Sequence, residues 1–80
     1  MATVRLLYFA SLREATGRDG EAVESAAADL AGLYAEAASR HGLQWPRERL
    51  RVAVDGAFAH WGDALREGSE VAFIPPVSGG

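Results

Sequence analysis

The chain has no cysteine and no lysine, so all eight of its basic residues are arginine. Without cysteine there are no disulfides and no thiolate metal sites, which are the usual staples of a small domain. Without lysine the only amine is the N-terminal one, and the domain can hardly accept isopeptide bonds from copies of itself. No apolar run approaches the ~18 to 20 residues that a membrane helix needs. The opening stretch "MATVRLLYF" reads as a strand rather than a cleavable signal. A cytoplasmic protein is the expectation. A net charge of -3 and a pI near 5.2 leave no general attraction to nucleic acid or to a membrane surface, so neither is an expected partner.

The catalytic inventory is equally sparse. Of the two histidines, His41 falls in a helix-ending turn and His60 on a short strand beside Trp61. Neither lies near a Ser-x-Gly elbow or a second type of metal ligand, so both read as structural or exposed, and no metal site is expected. With no G-x-x-x-x-G-K-[ST] and no G-x-G-x-x-G motif, the chain should bind neither ATP nor a dinucleotide by itself. Its eleven carboxylates are scattered through strands and turns and read as a solvated surface.

What is present is an ordinary core composition, with 49% hydrophobic and 24% charged residues over 80 positions. That is one small domain, stabilised by burial alone. Residues 3–9, "TVRLLYF", alternate as a first strand, and Ser11 with Glu14 has capping-box spacing for a short helix that Gly17 stops. Residues 21–25 pair back as a second strand. Asp29 as N-cap and Gly42 as C-cap bound the clearest helix, with Leu30, Leu33, Tyr34, Ala37 and Ala38 on one face. Pro46 keeps "LQWPRER" a loop. Residues 50–55 form a third strand, an Asp55-Gly56 hairpin turn leads to a fourth over 57–61, and residues 71–74 close the sheet. The order ββαβββ, with one main helix covering one face of a mixed four- or five-stranded sheet, predicts an α+β β-grasp roll over residues 1–80.

Alternation sends Val4, Leu6, Tyr8, Val52, Val54, Val71 and Phe73 to the helix. It places Leu7, Phe9, Ala53, Ala72 and Ile74 on the opposite face, with Phe58 beside them and Arg5, Arg51 and Asp55 nearer the rim. A solvated antiparallel face should be polar. An apolar one edged by charge is what a protein partner would cover.

The chain then ends "FIPPVSGG". Pro75 and Pro76 cannot donate to a ladder, so the sheet stops and residues 75–80 leave as an extended, flexible tail that reaches at most ~20 Å. Val77 and Ser78 are small, and Gly79 and Gly80 have no side chain. The tip can thread a narrow channel and present its carboxylate there. A carboxylate is a poor electrophile until an activating group makes one of its oxygens a leaving group. Nothing in this chain can activate it, so Gly80 is expected to be the substrate of an ATP-using enzyme.

The segments "VRLLYFASLRE", "DGAFA" and "LREGSEVAFIPPVSGG" resemble the ubiquitin-like β-grasp sulfur carriers, most closely the small subunit of molybdopterin synthase. The likeness runs the length of the chain, although "ESAAADL" and "LQWPRER" carry no motif of that family. It implies that an E1-like enzyme, using ATP and magnesium, adenylates Gly80 and that a sulfur donor converts it to a thiocarboxylate. It also implies that the tail enters a larger subunit, in a 2:2 heterotetramer, and donates sulfur to cyclic pyranopterin monophosphate. On that resemblance Gly79 permits threading, while Phe9, Phe58 and Ile74, with Leu7 beside them, meet the partner. The chain alone should then have no turnover and hold no cofactor. A carrier for tRNA thiolation, thiazole or cysteine synthesis, a ubiquitin-like protein modifier, or a plain interaction module are the alternatives that the residues leave open.

Overall fold

The computed structural model describes residues 1–76. Strand β1 (Ala2–Tyr8) leads through helix α1 (Ala10–Thr16) to β2 (Gly20–Ser25) and the main helix α2 (Leu30–His41). A 3-10 turn at Arg47–Arg49 precedes β3 (Arg51–Val54), β4 (Ala57–Ala59) and β5 (Glu70–Ile74). The strands form one sheet in the order β2-β1-β5-β3-β4. All neighbours are antiparallel except β1 and β5, which run parallel. This is the α+β β-grasp roll, and its last strand in sequence is its central strand in space.

Period-two alternation builds the core. Val4, Leu6, Tyr8, Val52, Val71 and Phe73 are each at most 2% exposed, and α2 covers them with Leu30, Leu33, Tyr34 and Ala37. Val54 and Ala38, at the margins of this layer, are only partly buried. Phe73 sits among three aromatic rings: Trp61 stacks on it at 6.0 Å, Tyr34 meets it edge-on at 5.1 Å and Tyr8 lies at 6.5 Å. The Tyr34 hydroxyl donates to the Trp45 carbonyl at 2.7 Å, tying the 43–49 loop to the helix side of the sheet.

The caps of α2 form as the sequence predicts. Asp29 accepts from the Gly32 amide at 2.9 Å, and Gly42 ends the helix at φ 68°. The Asp55-Gly56 turn has φ 50° and 87°, the positive pair that a type I′ hairpin requires. Ser11, in contrast, does not cap α1. The helix starts two residues earlier, with Phe9 in the N-cap position and no side-chain cap. The Phe9 carbonyl already accepts from Leu12 N at 3.0 Å because Ala10, at φ 49°, swings the chain sharply out of β1. That left-handed turn displaces the predicted Ser11–Glu14 box and ends β1 at Tyr8. Strand β4 is also shorter than its sequence suggests. His60 N donates to Asp63 Oδ2 at 3.0 Å, and the Trp61 carbonyl accepts from Ala31 N at 2.9 Å, so the chain turns toward α2 after Ala59.

The reading of all carboxylates as solvated surface fails at Glu21, whose side chain is only 13% exposed. Its Oε2 accepts from the Tyr8 hydroxyl at 2.6 Å, contacts His41 Nε2 at 2.7 Å and accepts from Arg40 at 3.1 Å, while Arg18 reaches Oε1 at 3.3 Å. One carboxylate therefore joins β1, β2 and the end of α2. Burial alone would raise its pKa, but the hydrogen bonds from Tyr8, His41 and Arg40 outweigh it and hold the group at about 2. Burial, and then the bond to Glu21, pushes the Tyr8 hydroxyl up.

Two outcomes follow. Truncating Phe73→Ala removes the ring on which three others pack, and should cost ~3 to 5 kcal/mol, a large share of the stability of so small a domain; a thermal melt should show it largely unfolded at ambient temperature. Glu21 binds a proton less readily folded than unfolded, since its pKa is about 2 against an ordinary 4.5. Its contribution is complete above that ordinary value and is lost as pH falls toward the folded one. Urea melts of Glu21→Gln should show ~1 to 3 kcal/mol less stability at neutral pH and a flatter acid limb than the native chain.

Candidate functional site

Of the sheet's two faces, α2 covers one. The other holds a groove of about 260 Å³ lined by Leu7, Phe9, Ala53, Gly56, Phe58, Glu70, Ala72 and Ile74. Register explains how five segments bring these side chains together. Leu7 is level with Ala72, Ala72 with Ala53, and Ala53 with Phe58, giving one row across four strands. Ala53 and Ala72 are each 9% exposed and form the floor, because their side chains are too short to rise above their neighbours. Phe58, 70% exposed, and Phe9, 45% exposed, stand up as walls. Phe9 owes its position to the turn at Ala10, which takes the chain away from the sheet at that point.

Leu7, Phe9, Phe58 and Ile74, singled out in the sequence, therefore share one groove. The loop around Trp45 does not cover it, since Trp45 packs on the core side. The sequence reading missed Gly56 and Glu70 as lining residues. Glu70 was legible by counting back two from Ala72, whereas Gly56 enters only because the hairpin turn folds over the end of the groove.

Charge marks the rim. The Arg51 guanidinium carbon lies 5.5 Å from the centroid of the Phe58 ring, a cation–π contact. At the far end Arg5 is level with Glu70, and Asp55 Oδ1 accepts from the Glu70 amide at 2.9 Å. Among the described residues no group of three or more His, Cys, Asp or Glu is placed to hold a metal. No described helix is long and apolar enough to cross a membrane.

The groove leads to the tail. Ile74, level with Arg51, is the last paired residue of β5. Pro75 follows and is buried, while Pro76 is exposed, so the chain emerges from the body of the domain at Pro76. The sites assigned to Val77, Ser78, Gly79 and Gly80 lie outside the described residues.

The family model for the ThiS family matches residues 6–80. The molybdopterin synthase sulfur carrier subunit of Homo sapiens is 36% identical over 86 residues, covering 100% of this chain and 97% of its own length. Among solved structures, the putative molybdopterin converting factor subunit 1 of Pyrococcus furiosus superposes with a TM-score of 0.79 at 28% identity, covering 96% of this chain and all of its own. A chain in the complex of subunits 1 and 2 of molybdopterin-converting factor from Helicobacter pylori has the same fold, with a TM-score of 0.68 at 22% identity over 98% of this chain and 99% of its own. With a β-grasp roll, a groove at the root of a Gly-Gly tail and a family match over nearly its whole length, this chain belongs to the ThiS family of sulfur carriers.

Proposed function

We propose that the chain is the sulfur carrier subunit of a molybdopterin synthase, with Gly80 as its reacting residue. The observation that carries this reading is the position of β5. The strand that precedes the tail is clamped in the middle of the sheet, and the groove opens beside its last paired residue. A partner that covers Leu7, Phe9, Phe58 and Ile74 therefore receives the tail in a defined direction. The similarity to named sulfur carrier subunits supports the same conclusion.

The chemistry belongs to the partners. An E1-like enzyme, with ATP and magnesium, joins the Gly80 carboxylate to AMP and releases pyrophosphate. A sulfur donor then displaces AMP, leaving a thiocarboxylate. Pro75 and Pro76 hold the base of the tail extended, and Val77, Ser78 and Gly79 are slim enough to thread the large subunit. There the thiocarboxylate gives sulfur to cyclic pyranopterin monophosphate and returns as a carboxylate. The carrier holds no cofactor and has no turnover alone; it works in the cytoplasm, in a 2:2 assembly with the large subunit.

Incubation with the E1-like enzyme, ATP, magnesium and a sulfur donor should add to the C-terminal peptide the mass difference of one oxygen-to-sulfur exchange. No change with an enzyme proven active on another carrier would remove the reading. Deleting Gly80 should abolish that mass gain and leave the thermal melt unchanged, because β5 ends at Ile74. Phe9→Asp places a charge in an apolar contact, and should weaken binding of the large subunit by ~2 kcal/mol, or about thirtyfold in Kd. Calorimetric titration tests this, and native affinity would show that the groove is not the interface.

A further inference from the structure

Arg51 is a cation beside the point where β5 ends. It lies on the same face of β3 as Ala53, it is level with Ile74 across the β3–β5 pair, and its guanidinium rests over Phe58. Both members of that contact face solvent: Phe58 is 70% exposed, and Arg51 is exposed as well. Among the described residues, the ion pairs link Arg13, Arg18, Arg40, His41 and Arg47 to carboxylates; none includes Arg51.

A partner that fills the groove and takes the tail must cover this guanidinium too. Covering it with apolar surface would strip its water and leave up to five N–H donors unmet, which is unfavourable. A carboxylate restores those bonds, and the planar fork, already held against the ring, is set to donate to it bidentately. The opposite end of the groove is mixed in sign, since Glu70 lines it with Asp55 beside it and Arg5 is level with Glu70. A partner carboxylate is thus attracted to the Arg51 guanidinium at the end where β5 stops.

From this geometry we infer that Arg51 is a specificity-determining residue. The protein face that fits the groove has an apolar centre and, at the end nearest the tail, a carboxylate that pairs with Arg51. This rests on the reading of the groove as the interface with the large subunit of the synthase.

The test is calorimetric titration of the full chain against the large subunit from the same organism, at low and high salt, with thermal melts to verify folding. Arg51→Ala should raise Kd about tenfold and Arg51→Glu more, and both should flatten the salt dependence of the native complex. Arg51→Lys, which keeps the charge but loses the fork, should retain the salt dependence and part of the affinity. Native affinity and native salt dependence in Arg51→Ala and Arg51→Glu, alongside a weakened Phe9→Asp complex, would overturn the role of Arg51 and leave the groove standing. Equal weakening by Lys and Ala with an unchanged salt dependence would trace the effect to packing on Phe58, and would also overturn it. If Phe9→Asp itself binds as the native chain does, the groove is not the interface and both readings fall together.

Discussion

The insertion of β5 between β1 and β3 is the constraint on which the rest of this molecule depends. A strand in the middle of a sheet is hydrogen-bonded on both sides, and this one is also pinned from above by Phe73 packed among Trp61, Tyr34 and Tyr8. Because β5 joins β1 to β3, the sheet is not complete until this strand is in place. The same arrangement holds Ile74, the last paired residue of β5, in register with Arg51.

Fixing β5 also creates the groove. Its outward residues, Ala72 and Ile74, lie level with outward residues of β1 and β3, so the small floor and the aromatic walls belong to different segments yet form one surface. The large rings stand where no core residue can reach them, at a turn after β1 and on the short strand β4. Apolar area left open there is unfavourable for an isolated domain and useful to one that docks. Stability and the proposed function thus divide the sheet between them: one face holds the fold together, and the other carries the groove.

Much of this was legible in the sequence because alternation and turn chemistry are local. The sides taken by Leu6 and Leu7, or by Phe73 and Ile74, follow from a period of two, and Asp55-Gly56 announces a hairpin because few other pairs tolerate two positive φ angles. Glu21 was not legible. Its partners Tyr8, Arg18, Arg40 and His41 are spread over a neighbouring strand, a turn and a helix end, and nothing in the residues beside it distinguishes it from an exposed strand glutamate. The start of α1 was missed for a related reason. Ser11 has the right chemistry for a cap, but the direction in which the chain leaves β1 is set by the sheet, and that placed Phe9 in the capping position instead.

The sequence by itself determined the order of elements, the two faces of the sheet and the end of β5 before Pro75, because side-chain size, backbone φ preference and the missing proline donor act over a few residues. Only the tertiary structure decided which strands are neighbours. The parallel pairing of β1 with β5 joins segments more than sixty residues apart, Arg5 to Glu70 and Tyr8 to Phe73, and no local preference encodes it. That pairing joined Leu7 to Ala72 in one groove, the β3–β5 pairing set Arg51 level with Ile74, and the β1–β2 pairing with the end of α2 gathered four side chains around the half-buried carboxylate of Glu21.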